Sequence, residues 1–273
     1  MAEILIIEAG RTERQYWRDL WHYRELFWFL AWRDILVRYK QTVIGIAWSV
    51  IRPLLTMIVF TVIFGRLAEF PSGGVPYPIL VFTAMLPWQM FSHALTESSN
   101  SLISNANILT KIYFPRIILP TSAMIVSFVD FLISLAILGA IMVWYQFIPG
   151  WRILSLPLFL LIALMAAFGF GIWFSSLNVK YRDFRYIVPF LSQFGLYLSP
   201  VGFSSSIIPE RWRLVYSLNP MVGVIDGFRW AVLAGEAEIY VPGFAISTVI
   251  ILILLYFGSV YFRKAERTFA DVI

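Results

Sequence analysis

The sequence predicts an all-α membrane protein with six transmembrane helices. Two compositional observations support this fold class: 60% of the 273 residues are hydrophobic, and only 14% are charged. The third observation is that the uncharged stretches are long enough to cross a bilayer. An average soluble domain is about 45–50% apolar and about 25% charged, and a core of this size cannot bury the excess. The composition therefore argues against a soluble, disordered or fibrous chain.

The first 48 residues are expected to form a cytoplasmic segment. Residues 1–25 carry many charges and lack the apolar core of a signal peptide. Residues 26–41 have an apolar face opposite a charged one, which predicts an amphipathic helix in the membrane interface with its charges toward water. The pattern fits either a simple anchor or a helix that touches a cytoplasmic partner. The apolar face consists of Trp28, Trp32, Ile35 and Tyr39, and the charged face of Arg33, Asp34, Arg38 and Lys40.

Residues 49–262 are expected to form the transmembrane domain, because a membrane helix needs about 20 mostly apolar residues. Asp130 is the only acidic residue deep in a predicted span. We expect it to face a helix contact or a cavity rather than to relay protons. The spans are predicted within residues 41–65 (starting near residue 50, because of Arg52 and Pro53), 70–96 (starting near Tyr77), 117–148, 153–179, 186–209 and 239–262.

Residues 214–235 are apolar but unsuited to a full span. Proline and glycine interrupt helices, and charges in the middle of a bilayer are costly. We therefore predict one or two short re-entrant helices that enter the outer half of the membrane and return, with a seventh full span as the alternative. The interrupting residues are Asn219, Pro220, Gly223, Asp226, Gly227 and Arg229. Asp226 and Arg229 are three residues apart and can pair on one helix face.

The distribution of basic residues orients the chain. Six spans place both termini on one side, and basic residues concentrate in cytoplasmic segments. With both termini cytoplasmic, 16 of the 21 lysines and arginines lie inside, including those of the tail at 263–273. The net charge of +5 therefore reflects membrane orientation and not nucleic-acid binding.

The cytoplasmic loop after the second span carries apolar anchors. Ser104 or Asn105 can cap a helix, and Pro115 ends it, which predicts about two helical turns over residues 104–114. Such a helix can dock into a groove of a partner or lie on the bilayer as a plain loop helix. The residues available to dock are Ile108, Ile112, Tyr113 and Phe114.

Aromatic side chains make up 18% of the chain, which is more than interfacial belts require. Aromatic rings offer flat apolar faces, and tyrosine and tryptophan add a polar group. A path lined by such rings can stack on the C–H faces of sugars, which suggests a glycan as cargo. The candidates are Trp48, Phe60, Phe64, Trp88, Phe91, Phe194, Tyr197 and Phe203.

No catalytic motif is present in the sequence. It has no HExxH, GxSxG or Walker A pattern, no cysteine, and two distant histidines that suggest no metal site. A membrane acyl or glycosyl transferase would need a clustered acid, base or metal site, and none is evident. We expect that this chain is not an enzyme and holds no cofactor, and if transport here uses ATP, another chain must bind it.

Several motifs from about residue 25 to the end resemble those of type-2 ABC exporter permeases, in the polysaccharide branch that handles O-antigen, capsule and teichoic acid. The first part of the match is RDILVRYKQTVIGIAW at 33–48, followed by RPL at 52–54. Further along are PW at 87–88, NIL at 107–109, KIYFPR at 111–116, NVKYRD at 178–183, LNPM at 218–221 and ERTFADVI at 266–273.

This resemblance implies an exporter in the bacterial inner membrane. Two copies of the permease form a channel, and two copies of a separate ATPase bind ATP and Mg²⁺. The cargo is an O-antigen-like polysaccharide on a polyprenyl pyrophosphate lipid, moved from cytoplasm to periplasm. The alternatives are teichoic acid, capsule or a small amphiphile or drug. The resemblance also implies that residues 104–114 form a coupling helix, that residues 26–41 form a cytoplasmic gate helix, and that residues 207–235 form periplasmic gate helices.

Four groups of site residues follow from the resemblance and the aromatic excess. ATPase coupling is expected at Asn105, Asn107, Leu109, Lys111, Tyr113 and Phe114. The cytoplasmic gate and the pyrophosphate contacts are expected at Arg33, Arg38, Tyr39 and Lys40. The glycan channel, between the first and fifth spans, is expected to use Trp48, Phe60, Trp88, Phe194, Tyr197 and Phe203. The periplasmic gate is expected at Asn219, Pro220, Asp226 and Arg229.

Overall fold

The protein is a bundle of helices in a computed structural model that describes residues 13–40, 45–234 and 237–269. No strand occurs in these ranges. Three parts of the predictions lie outside the described residues: the outer ends of the predicted cytoplasmic segments, the start of the first predicted span at 41–44, and residue 235 of the predicted gate region. The all-α prediction is confirmed.

The helices on the N-terminal side are α1 (Glu13–His22), α2 (Arg24–Lys40), α3 (Gly45–Phe60, continued by a π-helical segment Thr61–Leu67), α4 (Tyr77–Ser104) and α5 (Ala106–Leu109). The remaining helices are α6 (Ile118–Trp144), α7 (Leu156–Lys180, preceded by a 3-10 turn Trp151–Ser155), α8 (Phe184–Leu198), α9 (Glu210–Tyr216), α10 (Pro220–Val232) and α11 (Val241–Ala265).

Five helices in the described part of the chain are long and apolar enough to cross a membrane. They occupy Ala47–Leu67, Tyr77–Ser104, Ile118–Trp144, Trp151–Lys180 and Val241–Thr268. The second begins at Tyr77, as predicted. The first begins at Ala47, before the predicted start near residue 50, because Pro53 is accommodated inside a helix that begins at Gly45.

The helix predicted as the fifth span is shorter than a span. Helix α8 has 15 residues, or about 22 Å at 1.5 Å per residue, against a hydrocarbon core of about 30 Å. The helix ends at Leu198 because the next residue, Ser199, is extended, the conformation favoured for a residue that precedes a proline, here Pro200. An uncharged run can therefore be longer than the helix inside it.

The broken stretch near residues 214–235 forms two short helices, α9 and α10. The prediction of short helices in place of a seventh span is confirmed. Asn219 caps α10 with its side-chain oxygen, which accepts from the Met221 N–H at 3.1 Å, and Pro220 occupies the first turn. Nearly all of α10 is buried, so it belongs to the core.

Helix α4 lies at the centre of the bundle and packs against α6, α7, α8 and α10. Helix α11 packs on α7 through a contact of two backbones. A Cβ at Gly169 would lie 2.9 Å from the Leu255 Cα, and one at Gly258 would lie 2.5 Å from the Gly169 carbonyl oxygen. Only glycine allows this approach, so α7 and α11 form one tightly packed pair.

Candidate functional site

The C-terminal end of α2 is joined to α4 and α6 by a cluster of polar side chains. Arg38 lies 2.5 Å from a carboxylate oxygen of Asp130 and 3.7 Å from one of Glu97. The Tyr39 hydroxyl donates a short hydrogen bond to the other Asp130 oxygen. The His93 Nδ1 is 3.6 Å from Asp130. We call Arg38, Tyr39, His93, Glu97 and Asp130 the entrance cluster.

The entrance cluster confirms that Asp130 faces a helix contact. Asp130 is buried, and it is 14 residues, or about 21 Å, from the end of α6 at Trp144. Burial and the bond to Asp130 raise the pKa of Tyr39 above its ordinary value. Its hydroxyl therefore stays a donor at neutral pH. The sequence indicated only that His93 belongs to no metal site, and it did not reveal this role, because nothing in the sequence relates α4 to α6.

Arg33 is held by two side chains, one on its own helix and one after α4. Its Nε and Nη2 lie 2.9 and 2.7 Å from Asp34 Oδ1. Nη2 also donates to the Asn105 Oδ1 at 2.9 Å. The link from Arg33 to Asn105 joins α2 to the predicted coupling segment. Lys40 is exposed.

The orientation of α2 differs from the amphipathic prediction. Its charged face packs against the protein through Arg33, Arg38 and their partners, and Tyr39 is on this packed side. Trp28 and Trp32 are exposed, as expected for rings at a membrane interface. The charged face packs inward because it finds acceptors there.

The predicted coupling helix is only one turn long. Helix α5 covers four residues and gives way to turns, so the prediction of about two turns over 104–114 is wrong. Leu109 and Phe114 are buried in a cluster with Leu30 of α2 and Phe262 of α11. These two predicted ATPase contacts are therefore internal. The predicted contacts that remain at the surface are Asn107, Lys111 and Tyr113.

The coupling segment is also fastened to the C-terminal end of α11. The Arg116 N–H donates to the Glu266 carboxylate at 2.7 Å, and the Arg116 guanidinium donates a short hydrogen bond to the Glu266 carbonyl. Arg263, one turn earlier, lies 4.9 Å from the centre of the Tyr16 ring of α1. The sequence predicted none of these contacts.

The six predicted channel aromatics are divided between surface and core. Trp48, Phe194 and Tyr197 are exposed, Phe203 is half-buried, and Phe60 and Trp88 are buried. Phe60 nevertheless stacks on Tyr197 at 6.1 Å between ring centres, which joins α3 to α8.

Helix α8 carries an exposed aromatic stripe. Tyr186, Phe190, Phe194 and Tyr197 follow one another at steps of four, four and three residues, and each is more than half exposed. Residues at this spacing share one face of a helix. The rings of Phe190 and Phe194 stack at 5.7 Å. We call these four residues the α8 stripe.

An apolar cavity of about 690 Å³ lies beside α8. Its walls come from α4, α7, α8 and α9, and include Trp88, Phe174, Phe194 and Trp212. Ligand pockets commonly measure about 300–1,000 Å³. The cavity is thus large enough for part of an amphiphile.

The outer end of the bundle is held together by Arg229 of α10. This arginine is 2% exposed. It donates to the carbonyls of Phe203, Val201 and Leu80 at 2.7, 3.1 and 3.4 Å. The Tyr77 hydroxyl donates to the Gly202 carbonyl in the same turn at 2.6 Å. We call residues 199–203 the outer turn.

The predicted pairing of Asp226 with Arg229 is not seen: no ion pair within 4 Å joins them in the part of the chain that the structure describes. Burial raises the pKa of Asp226 to about 6. Asn219 donates to the Ser199 hydroxyl at 2.9 Å. Asn219 and Arg229 therefore both bind the outer turn.

The five long apolar helices and the buried short helix α10 packed among them define an all-helical, multi-pass membrane protein. The chain belongs to the ABC-2 type transporter family, whose family model matches residues 25–233.

Its relatives include export permeases. It is 28% identical over 248 residues to the O-antigen export system permease protein RfbA of Klebsiella pneumoniae, covering 88% of this chain and 92% of the relative. It is 27% identical over 259 residues to RfbA of Myxococcus xanthus, covering 94% and 98%. The polysialic acid transport protein KpsM of Escherichia coli is 22% identical over 242 residues, covering 86% and 91%.

Proposed function

We propose that this chain is the transmembrane subunit of an ATP-driven exporter that moves an O-antigen-like polysaccharide, linked to polyprenyl pyrophosphate, across the bacterial inner membrane. The α8 stripe is the observation that carries this proposal. Four exposed rings along one helix face offer successive stacking surfaces for a sugar chain. The matches to an O-antigen export permease and a polysialic acid transport protein, which cover 88% and 86% of this chain, support the same class of cargo.

A second copy of the chain completes the channel in this proposal. Helix α3 buries little of its surface, and Ile51, Leu55 and Ile58 are exposed on it. The Phe60–Tyr197 stack brings α3 beside the α8 stripe. Two copies that face each other across α3 and α8 enclose an aromatic path between them.

Helix α8 and the outer turn together supply the remaining crossing, the fifth in chain order, which makes six crossings in all. Helix α8 alone is about 8 Å too short for the hydrocarbon core. The segment after it remains within the protein, bound by Arg229 and Tyr77, where irregular backbone is tolerated at membrane depth. Six crossings keep both termini cytoplasmic, consistent with the distribution of basic residues.

The separate ATPase contacts the exposed part of the coupling segment, at Asn107, Lys111 and Tyr113. When the ATPase displaces the coupling segment, Leu109 and Phe114 transmit that displacement to α2, because they share a buried cluster with Leu30. The pyrophosphate head group contacts Arg38, Tyr39 and Lys40 at the end of α2. Arg33 instead joins α2 to the coupling segment.

The decisive experiment measures ATPase stimulation of the reconstituted complex by different cargos. Polyprenyl pyrophosphate carrying a glycan should stimulate hydrolysis at least tenfold more than the same lipid without sugar. Equal stimulation by a small amphiphile would instead favour that alternative, for which the 690 Å³ cavity is the supporting feature.

Variants of the α8 stripe test how the glycan is handled. Phe190→Ala combined with Phe194→Ala should reduce glycan export more than tenfold and leave assembly and basal ATPase activity intact. The matched control is Tyr256→Ala with Phe257→Ala, an exposed aromatic pair on α11. Normal export by the α8 variant would overturn the stacking role.

A further inference from the structure

The entrance cluster has the composition of an anion receptor. Asp130 lies inside an apolar helix, where a carboxylate is costly unless it is paired. Arg38 and Tyr39 of α2 present a guanidinium and a phenol to it, and His93 of α4 presents an imidazole. The same donor types bind phosphate oxygens, and arginine suits them because of its forked geometry.

We propose that Asp130 is an internal counter-anion: it occupies Arg38 and Tyr39, the donors that bind a prenyl diphosphate head group, until the cargo displaces the Asp130 carboxylate from them. The inference rests on the proposed function. It adds two things to it: a competitor built into the chain, and a contact between α2 and α6 that opens when cargo binds.

The partners of Arg38 differ from those of the other arginines nearby. Arg33 is bound to the carboxylate of Asp34 on its own helix and to the amide of Asn105. Neither is an anion on a membrane span, so an anion that bound Arg33 would not break an ion pair between α2 and a span. Arg38 instead contacts carboxylates on α6 and α4. Its side chain is 33% exposed, and an anion at the entrance can reach it.

Exchange of one anion for another is energetically accessible at this site. The attraction within a partly buried ion pair is largely offset by the cost of desolvating its members. A diphosphate carries more negative charge than a carboxylate and has more oxygens, so it can accept hydrogen bonds from Arg38 and Tyr39 at the same time. Once Arg38 and Tyr39 turn to a diphosphate, the end of α2 loses its polar contacts with Asp130.

The test uses the full permease–ATPase complex in lipid nanodiscs, with farnesyl diphosphate as the probe. Asp130→Asn removes the internal anion, and the Kd for farnesyl diphosphate should fall about tenfold. Arg38→Gln should raise the Kd at least tenfold. The matched control is Asp34→Asn, which removes a carboxylate paired with Arg33 of the same helix, and its Kd should be unchanged.

The outcomes separate the two proposals. If Asp130→Asn binds no more tightly than the natural chain while Arg38→Gln binds weakly, Asp130 is not a competitor and the head-group role of Arg38 stands. If Arg38→Gln binds as well as the natural chain, or the natural chain does not bind farnesyl diphosphate, both the head-group role and the counter-anion are overturned.

A second measurement leaves the entrance cluster intact. The sequence has no cysteine, so a single nitroxide label at Val37→Cys, an exposed position of α2, reports on this helix alone. Farnesyl diphosphate should increase the mobility of the label, and farnesol should not. Unchanged mobility at a saturating concentration of bound farnesyl diphosphate would overturn the proposal, even if Asp130→Asn failed to assemble.

Discussion

Arg38 and Arg229 contact different parts of α4, at Glu97 and Leu80, and are neutralised in different ways. Arg229 is 2% exposed and binds the backbone carbonyls of Leu80, Val201 and Phe203. Arg38 remains partly exposed and contacts the carboxylates of Asp130 and Glu97. Carbonyls belong to the backbone and cannot leave without unfolding the turn, whereas a carboxylate can be exchanged for another anion. The outer arginine is therefore structural, and the entrance arginine is suited to switching.

The largest effect is expected at the outer end. Arg229→Leu leaves buried carbonyls without a donor, at a cost of about 1–3 kcal/mol each. Thermal unfolding of the purified protein should show a loss of several kcal/mol or a failure to assemble. Arg211→Leu, an exposed position on α9, should stay within about 0.5 kcal/mol of the natural chain. Equal stability of the two variants would remove the distinction between the arginines.

The next effect separates the buried and exposed halves of the coupling segment. Phe114→Ala empties a buried position and should lower the free energy of unfolding by about 3–5 kcal/mol. Tyr113→Ala, at an exposed neighbour, should leave stability unchanged and weaken copurification with the ATPase. If Tyr113→Ala retained the ATPase in full, the partner would contact another surface.

A smaller effect is expected at the link between the coupling segment and α2. Arg33→Gln removes the charged hydrogen bond to Asn105, and cargo-stimulated ATPase activity should fall about tenfold. Cargo affinity should hold, because Arg33 is assigned to coupling. Lys40→Gln should show the opposite result: its affinity for the cargo should be weaker, whereas its ATPase stimulation at saturating cargo should equal that of the natural chain. Identical profiles for the two variants would contradict this division of α2.

The smallest effect concerns Asp226. Because burial raises its pKa to about 6, the folded protein binds this proton more tightly than the unfolded chain, whose aspartates titrate near 3.9. Its contribution to stability is present below about pH 4 and is lost as the pH rises through 6. The melting temperature of Asp226→Asn should therefore depend less on pH between 4 and 7 than that of the natural chain. Parallel curves would mean that another group governs this range.

The sequence predicted most of the long helices but not the polar contacts between them. The start of the second span at Tyr77 and the end of the last span near residue 262 could be predicted, because the uncharged runs there are long and are bounded by turn or charged residues. The fifth was overestimated because hydrophobicity does not reveal that Pro200 closes α8. The helical spacing in α2 separated Trp28 and Trp32 from the charged residues correctly, but it placed Tyr39 on the wrong face. It could not show which face packs inward, since that depends on Asp130 and Asn105 in distant parts of the chain.

The close contact of Gly169 and Gly258 has a mechanical consequence for the coupling segment. Helices α7 and α11 touch backbone to backbone, and a change in their spacing would have to break that contact. Arg116, two residues after the coupling segment, is bound to Glu266 just beyond α11. This end of the segment is therefore attached to the tightly packed pair of α7 and α11. The other end, at Asn105, is bound to Arg33 of α2, the helix whose end separates from α6 in the proposal above. A push from the ATPase would then pivot the segment about Arg116, and α2 would swing most.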